Sequence, residues 1–132
     1  MTGDTVIVDA AKIVEVCRSF KDQGFERLAT VTAVDWHPAE PRFEVVYHLH
    51  SIARNERLRL KCRLTSAAAE IDSVVPVWRS ADWYEREVFD LFGIAFRGHP
   101  DLRRIMMPED WDGHPLRKDY PIHGGRYSYQ DE

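Results

Sequence analysis

Arg57-Leu58-Arg59-Leu60-Lys61-Cys62-Arg63-Leu64 alternates a base with an apolar residue at every step. Successive side chains of an extended chain point to opposite faces. The pattern therefore predicts a strand with a buried face (Leu58, Leu60, Cys62, Leu64) and a wet one (Arg57, Arg59, Lys61, Arg63). Upstream, Arg42–Ser51 sets Phe43, Val45, Tyr47 and Leu49 on one side in the same way. The polar segment Ala53–Glu56 would join the two strands as an antiparallel hairpin. Leu28–Trp36 is rich in threonine and valine and reads as another strand, with Ala29, Val31 and Ala33 alternating against Thr30, Thr32 and Val34. His37-Pro38-Ala39-Glu40-Pro41 breaks it from the hairpin. Thr5–Val8 is a short β-prone run at the start of the chain.

Two segments change period. After Asp9, which can cap a helix, Ile13, Val16, Cys17 and Phe20 recur at i, i+3, i+4 and i+7, and Gly24 supplies a stop. Ser80 can cap a second helix, Ala81–Phe92, with Asp82 well placed for the helix dipole. Its apolar stripe is Tyr84, Val88, Leu91 and Phe92, and Gly93 closes it. Thr65–Ser73 has room for a short helix, ended by Pro76. These elements predict an α+β fold over 1–93: two layers, a mixed or antiparallel sheet with helices on one face.

Residues 94–132 differ. They hold many Gly, Pro and His residues and little periodicity, yet also Ile94, Phe96, Leu102, Ile105, Met106, Met107, Trp111, Leu116 and Tyr120. That apolar content is high for disorder, so this stretch reads as an irregular C-terminal arm that docks on a partner. Gly98-His99-Pro100-Asp101-Leu102-Arg103 and Gly113-His114-Pro115-Leu116-Arg117-Lys118 echo each other, as two similar turns each presenting a basic residue.

Composition removes several functional classes. At 132 residues the chain is one domain, large enough to fold without staples. A formal net charge of -4 argues against nucleic-acid binding, and no aromatic residues interleave with the basic strand face as a stacking platform requires. That face reads as solvated, its charges discouraging edge pairing. No apolar stretch approaches the ~20 residues of a membrane helix, and Met1–Val8 lacks the pattern of a leader. The two cysteines, Cys17 and Cys62, lie far apart on apolar faces. They read as reduced core residues, too few to hold a cluster or a structural zinc alone.

The densest group of chemical side chains is Glu85-Arg86-Glu87 with Asp90 on the second helix. Glu85 and Glu87 point about 200° apart around a helix and form no dyad. Arg86 and Asp90, four apart, are spaced to pair. The reading is a set of ion pairs rather than a general acid and base. His99, His114 and His123 with Asp101 and Asp112 match no metal-ligand spacing. No glycine-rich phosphate loop or nucleophile elbow occurs. A stand-alone metal-dependent enzyme built on Glu85, Glu87 and the histidines is the rival reading.

From Glu85 onward a longer pattern emerges. Glu85-Arg86-Glu87-Val88-Phe89-Asp90-Leu91-Phe92-Gly93-Ile94 resembles the signature of the C subunit of NADH:quinone oxidoreductase, respiratory complex I. So do Gly98-His99-Pro100-Asp101-Leu102-Arg103-Arg104-Ile105, Pro108-Glu109-Asp110, and Gly113-His114-Pro115-Leu116-Arg117-Lys118-Asp119-Tyr120-Pro121. Gly24-Phe25, Asp35-Trp36 and Arg42-Phe43 are similar too, so the resemblance spans nearly the whole chain. It implies a non-catalytic subunit of the peripheral arm, on the cytoplasmic side of the bacterial membrane. It implies packing against the quinone-site D subunit and the cluster-bearing B and I subunits, with no flavin, cluster or quinone of its own. NADH, FMN, iron–sulfur clusters and quinone then belong to the assembled complex. Glu85, Arg86, Glu87 and Asp90 anchor the motif. His99, Arg103, Arg104, Arg117, Lys118, Asp119 and Tyr120 contact partners or brace the arm, or else pair within the subunit. Membrane-bound hydrogenases and other complex I-like complexes contain the same domain, so the resemblance leaves the electron donor open.

Overall fold

The structure is a computed structural model and describes residues 4–108 and 110–119. Four strands form the main sheet: β1 (Asp4–Ile7), β2 (Arg27–Asp35), β3 (Phe43–Ser51) and β4 (Glu56–Leu64), in spatial order β1-β4-β3-β2. β3 and β4 are the expected antiparallel hairpin, in register from Phe43 opposite Leu64 to Ser51 opposite Glu56. Asn55 takes the left-handed turn conformation between them (φ 53°). β2 adds antiparallel to β3, while β1 adds parallel to β4, so the sheet is mixed. Both bonds to proline in the His37–Pro41 break, at Pro38 and Pro41, are cis.

The first helix begins as a 3-10 turn, Ala10–Lys12, where Asp9 accepts a hydrogen bond from the Ala11 N–H (3.1 Å). It continues as α1 (Ile13–Asp22). The second helix is α2 (Ala81–Phe92). Both lie over one face of the sheet. There Ile13 and Cys17 of α1 and Ala81 and Val88 of α2 share a core with Val45, Tyr47, Leu49, Leu58, Leu60 and Cys62. Each large side chain so buried contributes about 1.5–3 kcal/mol. The alternation of β4 is realised in full, with Leu58, Leu60, Cys62 and Leu64 inside and Arg57, Arg59 and Arg63 exposed.

Three local expectations change. The alternation expected along β2 is interrupted by a bulge at Ala29, between the Leu28–Leu49 and Thr30–His48 pairs. The bulge turns both Leu28 and Val31 into the core. Thr65–Ser73 is not a short α-helix. It makes one 3-10 turn, Ser66–Ala68, and then β5 (Glu70–Asp72). β5 pairs in parallel with β6 (Ala95–Arg97), a strand too short to show alternation in sequence. Ile94 and Phe96 are buried with the rest, so the core reaches past position 93. Ser80, finally, does not cap α2 with its side chain. Its hydroxyl instead donates to the Leu28 carbonyl (3.3 Å), tying the helix start to β2.

Candidate functional site

The chemical groups of the chain gather along α2. Near its middle, Glu85 is fully buried. Its carboxylate accepts from the Ser73 hydroxyl (2.7 Å) and the Val74 N–H (2.8 Å), pinning the segment after β5 to the helix. Burial pushes the Glu85 carboxyl up to about 7, against the pull of those two donors. Close by in the core are Tyr47, which is fully buried, and the free thiols of Cys17 and Cys62. Desolvation pushes both thiols up to about 12, so they stay protonated and inert.

The raised Glu85 carboxyl fixes a pH dependence. The folded chain holds this proton more tightly than the unfolded chain. The group's contribution to stability is complete below its ordinary value of 4.5 and is lost as pH rises through about 7. The loss amounts to about 3 kcal/mol. Glu85→Gln keeps an acceptor for Val74 and gains a donor for Ser73 but carries no charge. Urea unfolding should show the variant within about 1 kcal/mol of the parent at pH 5 and more stable than it at pH 8. A variant less stable than the parent at pH 8 would contradict this account.

At the helix start, Asp82 accepts from Arg86 Nε (2.9 Å) and lies 3.1 Å from His99 Nε2. The Asp101 N–H donates to His99 Nδ1 (2.9 Å), which leaves the proton of the neutral ring on Nε2, facing Asp82. Arg86 therefore pairs with Asp82 and not with Asp90 as its spacing suggested. Two acids flank it at four residues, and acid before base is the better orientation on a helix. Arg103 and Asp101 form an exposed pair (3.1 Å).

At the helix end, the last carbonyls of α2 would be left without partners by the helix itself. Gly93 adopts the left-handed conformation (φ 77°) and donates its N–H to Phe89. A side chain at Gly93 would also run into Arg117 and His114, whose atoms lie 2.8 Å from where a Cβ would sit. The arm supplies the remaining donors. Arg104 and His114 reach the Asp90 carbonyl, the Leu116 N–H reaches Leu91, and Arg117 Nε reaches Phe92 (2.6 Å). Cations are favoured at this end by the helix dipole. The fully buried Asp90 carboxylate faces the other way, into the turn 104–107. It takes Arg104 Nε on one oxygen and the N–H groups of Ile105, Met106 and Met107 on the other. Burial would raise this carboxyl, but those four donors outweigh it and hold it low.

A second anchor holds the arm at residues 118–119. The Arg42 guanidinium grips Asp35 with two bonds of 2.8 Å and reaches Asp119 at 2.7 Å. The Lys118 N–H donates to Asp35 as well (2.7 Å). Arg42 and Arg117 both lie over the Phe43 ring, at 4.8 and 5.3 Å from its centre. Sequence reasoning quoted Asp35 and Arg42 only as part of a resemblance. The signal it lacked was their spacing, which spans the His37–Pro41 break and obeys no local rule.

The histidines are not brought together. His99 sits at the start of α2 and His114 at its end. His123, Glu109 and Tyr120 lie outside the described residues. Among the described residues no three His, Cys, Asp or Glu side chains cluster as a metal site would need. Glu87, the remaining motif carboxylate, lines a shallow groove of about 200 Å³ with Val31, Ala33, Val88, Leu91 and Leu116.

Residues 6–126 match the family described as respiratory-chain NADH dehydrogenase, 30 Kd subunit. The chain belongs to that family. It is 55% identical over 122 residues to the NADH-quinone oxidoreductase C subunit of Geobacter sulfurreducens, covering 91% of this chain and 75% of that one. The C subunit of Geotalea uraniireducens is 52% identical over 121 residues, 91% of this chain and 74% of that one. Among solved structures, a trypsin-resistant fragment of Nqo5 superposes with a TM-score of 0.72 at 33% identity, over 76% of this chain and 83% of that one. A chain of the membrane-bound sulfane sulfur reductase, an archaeal respiratory membrane complex, gives 0.78 at 31% identity, over 92% and 74%. In this 30 Kd family member, four of the motif residues quoted from sequence, Asp90, Arg104, Arg117 and Asp119, bind the arm to its own core. Among the described residues no helix is long and apolar enough to cross a membrane.

Proposed function

We propose that this chain is a structural and assembly subunit in the peripheral arm of a proton-translocating NADH:quinone oxidoreductase. It would lie on the cytoplasmic side of the membrane, docked on the quinone-site D subunit and the cluster-bearing B and I subunits. The observation that carries this reading is the double anchoring of the arm. Charged side chains that could have served chemistry are instead spent on fixing an irregular segment against α2 and the sheet. A binding surface made of irregular chain gains affinity when it is ordered before its partner arrives. Met106 and Leu116 remain more than half exposed on that ordered arm and suit burial by a partner. NADH, flavin, clusters and quinone would be held by other subunits. Neither thiol of this chain offers a thiolate to a cluster, because both are pushed up to about 12 by burial.

The test is Arg86→Ala in the native complex. Loss of the Arg86–Asp82 pair loosens the helix start, where Asp82 also holds His99. Fully assembled complex should fall several-fold on a native gel, with subcomplexes accumulating. A full complement of complex with selectively lost activity would sink the assembly reading and favour a catalytic one. The likeness to a sulfane sulfur reductase chain supports a second reading, the same scaffold in a related complex with another electron donor. Mass spectrometry of the chain's partners, purified in mild detergent, separates the two. A flavin-bearing NADH module marks the first, and its absence beside a different catalytic subunit marks the second.

A further inference from the structure

Both helices cover one face of the four-stranded sheet and neither lies over the other face, where Val46 and Glu44 of β3 are buried but Arg57, Arg59 and Arg63 of β4 stand exposed. On that face β4 presents Arg57, Arg59, Lys61 and Arg63 in a row. Directly across on β3 stand His50, His48, Val46 and Glu44. Glu44 is the one carboxylate among these neighbours. It is buried and accepts from the indole N–H of Trp36 (3.3 Å). None of the four cations makes an ion pair among the described residues. Arg63 donates to the Pro41 carbonyl instead (2.6 Å) and lies over the Trp36 ring (5.6 Å).

Such a row is unfavourable in a free subunit. Alternate residues of a strand lie about 7 Å apart, within the ~8 Å screening length at physiological salt. The cations therefore repel one another, with Glu44, across from Arg63, the one acid on the β3 side of the ladder to offset them. A surface that needs only to stay wet mixes both signs. Composition does not force the row either, because the chain as a whole carries -4. Desolvation first, and then the charges of Arg59 and Lys61, hold the His48 imidazole below its ordinary range. Around the row lie exposed apolar side chains, Ile7 (70% exposed), Val34 (37%) and Trp36 (44%). Charge beside apolar surface suits a protein partner, whereas bound nucleic acid would call for a platform of stacking aromatic rings, and Trp36 stands alone at one corner.

We propose that this helix-free sheet face, centred on Arg59 and Lys61, docks an aspartate- and glutamate-rich protein surface of a neighbouring subunit, with Ile7, Val34 and Trp36 packing at its margin. The inference rests on the assembly reading above and adds the face and the chemistry of its partner. The experiment uses the full chain in its native complex. Lys61 is replaced by photo-reactive p-benzoylphenylalanine, membranes are irradiated, and the crosslinked peptide is identified by mass spectrometry. In parallel, Arg59→Glu with Lys61→Glu is compared with Arg59→Lys. The expected crosslink falls in an acidic segment of another subunit of the same complex. The double reversal should lower co-purification of the chain with the complex about tenfold, and Arg59→Lys should keep it within about twofold, since juxtaposed like charges strongly disfavour association. The melting temperature of each full chain controls for folding, and the crosslink does not depend on the reversal. Wild-type incorporation of the double reversal without a crosslink overturns the inference while leaving the assembly reading intact. A nuclease-sensitive crosslink overturns it in favour of nucleic acid. A wild-type chain that does not co-purify with any complex overturns both.

Discussion

Asp90→Asn should release the arm from the end of α2. The wild-type carboxylate is fully buried and accepts four donors, among them a guanidinium. Asparagine keeps the shape but replaces one oxygen with an N–H₂ group that must face either Arg104 or the three N–H groups of the 105–107 turn. Either way donor meets donor, and the Arg104 charge loses its counter-charge in a largely buried place. Breaking a buried pair from one side costs about 3–5 kcal/mol. Arg104 also bridges to the Trp111 and Gly113 carbonyls, so its release should spread along the arm. Hydrogen exchange should show Ile105, Met106 and Met107 losing protection together, and trypsin should gain access after Arg103 and Arg104. Asp82→Asn is the matched control. Its pair with Arg86 has an acid side chain 39% exposed, where solvent screens most of the attraction, and should cost below about 1 kcal/mol. Equal effects from the two substitutions would mean that Asp90 does not organise the turn.

The same two aspartates show what the sequence could and could not convey. Strand alternation from Arg57 to Leu64 and the buried Ile13 and Cys17 of the first helix follow from burial on one face, so they were readable residue by residue. Of the stripe expected on α2, only Val88 is buried; Ala81 and Glu85 take the core positions, and Tyr84, Leu91 and Phe92 are half-buried. Gly93 was readable because a helix needs a left-handed residue to end. The ion pairs were not, because the local rule for a helix ranks only neighbours. It offered Asp90 to Arg86 and had no access to Arg104, fourteen residues away. A hint was present all the same. An acid in the last turn of a helix opposes the dipole and calls for a cation from elsewhere. β5 and β6 escaped for another reason. Three residues are too few for alternation to register, and their pairing depends on α2 lying between them in sequence. The arm's apolar content pointed outward to a partner, yet Leu102 packs on this chain's own core. Composition records that a segment will be buried and not which surface buries it.

Arg42→Ala should test the anchor of the arm at residues 118–119, with a pH signature that separates charge from packing. Arg42 holds Asp35 with two bonds and Asp119 with two more, and Asp35 is only 4% exposed. The side-chain bonds from Arg42 hold the Asp35 carboxyl well below its usual range. Burial opposes them, and the Lys118 and His37 N–H groups assist. A carboxyl lowered on folding adds stability that is present above its ordinary value near 4 and is lost as pH falls toward the folded value. Removing Arg42 strands a buried negative charge, so the loss at pH 7 should be about 3–5 kcal/mol. Near pH 3 the stranded Asp35 takes up a proton, and the gap between variant and parent should narrow. A gap of the same size at both pH values would assign the effect to lost packing over Phe43 rather than to charge. Arg42→Lys should fall between, because an ammonium keeps the charge but not the two-point fork. Arg42→Met with Asp35→Asn should recover part of the loss, since a buried pair replaced on both sides leaves no bare charge. In all three variants the contacts of Lys118 and Asp119 should weaken with the cluster. The arm would then stay fixed at the end of α2, through Asp90 and the bonds of Leu116 and Arg117, and exchange protection should survive at 105–107 while it is lost at 118–119.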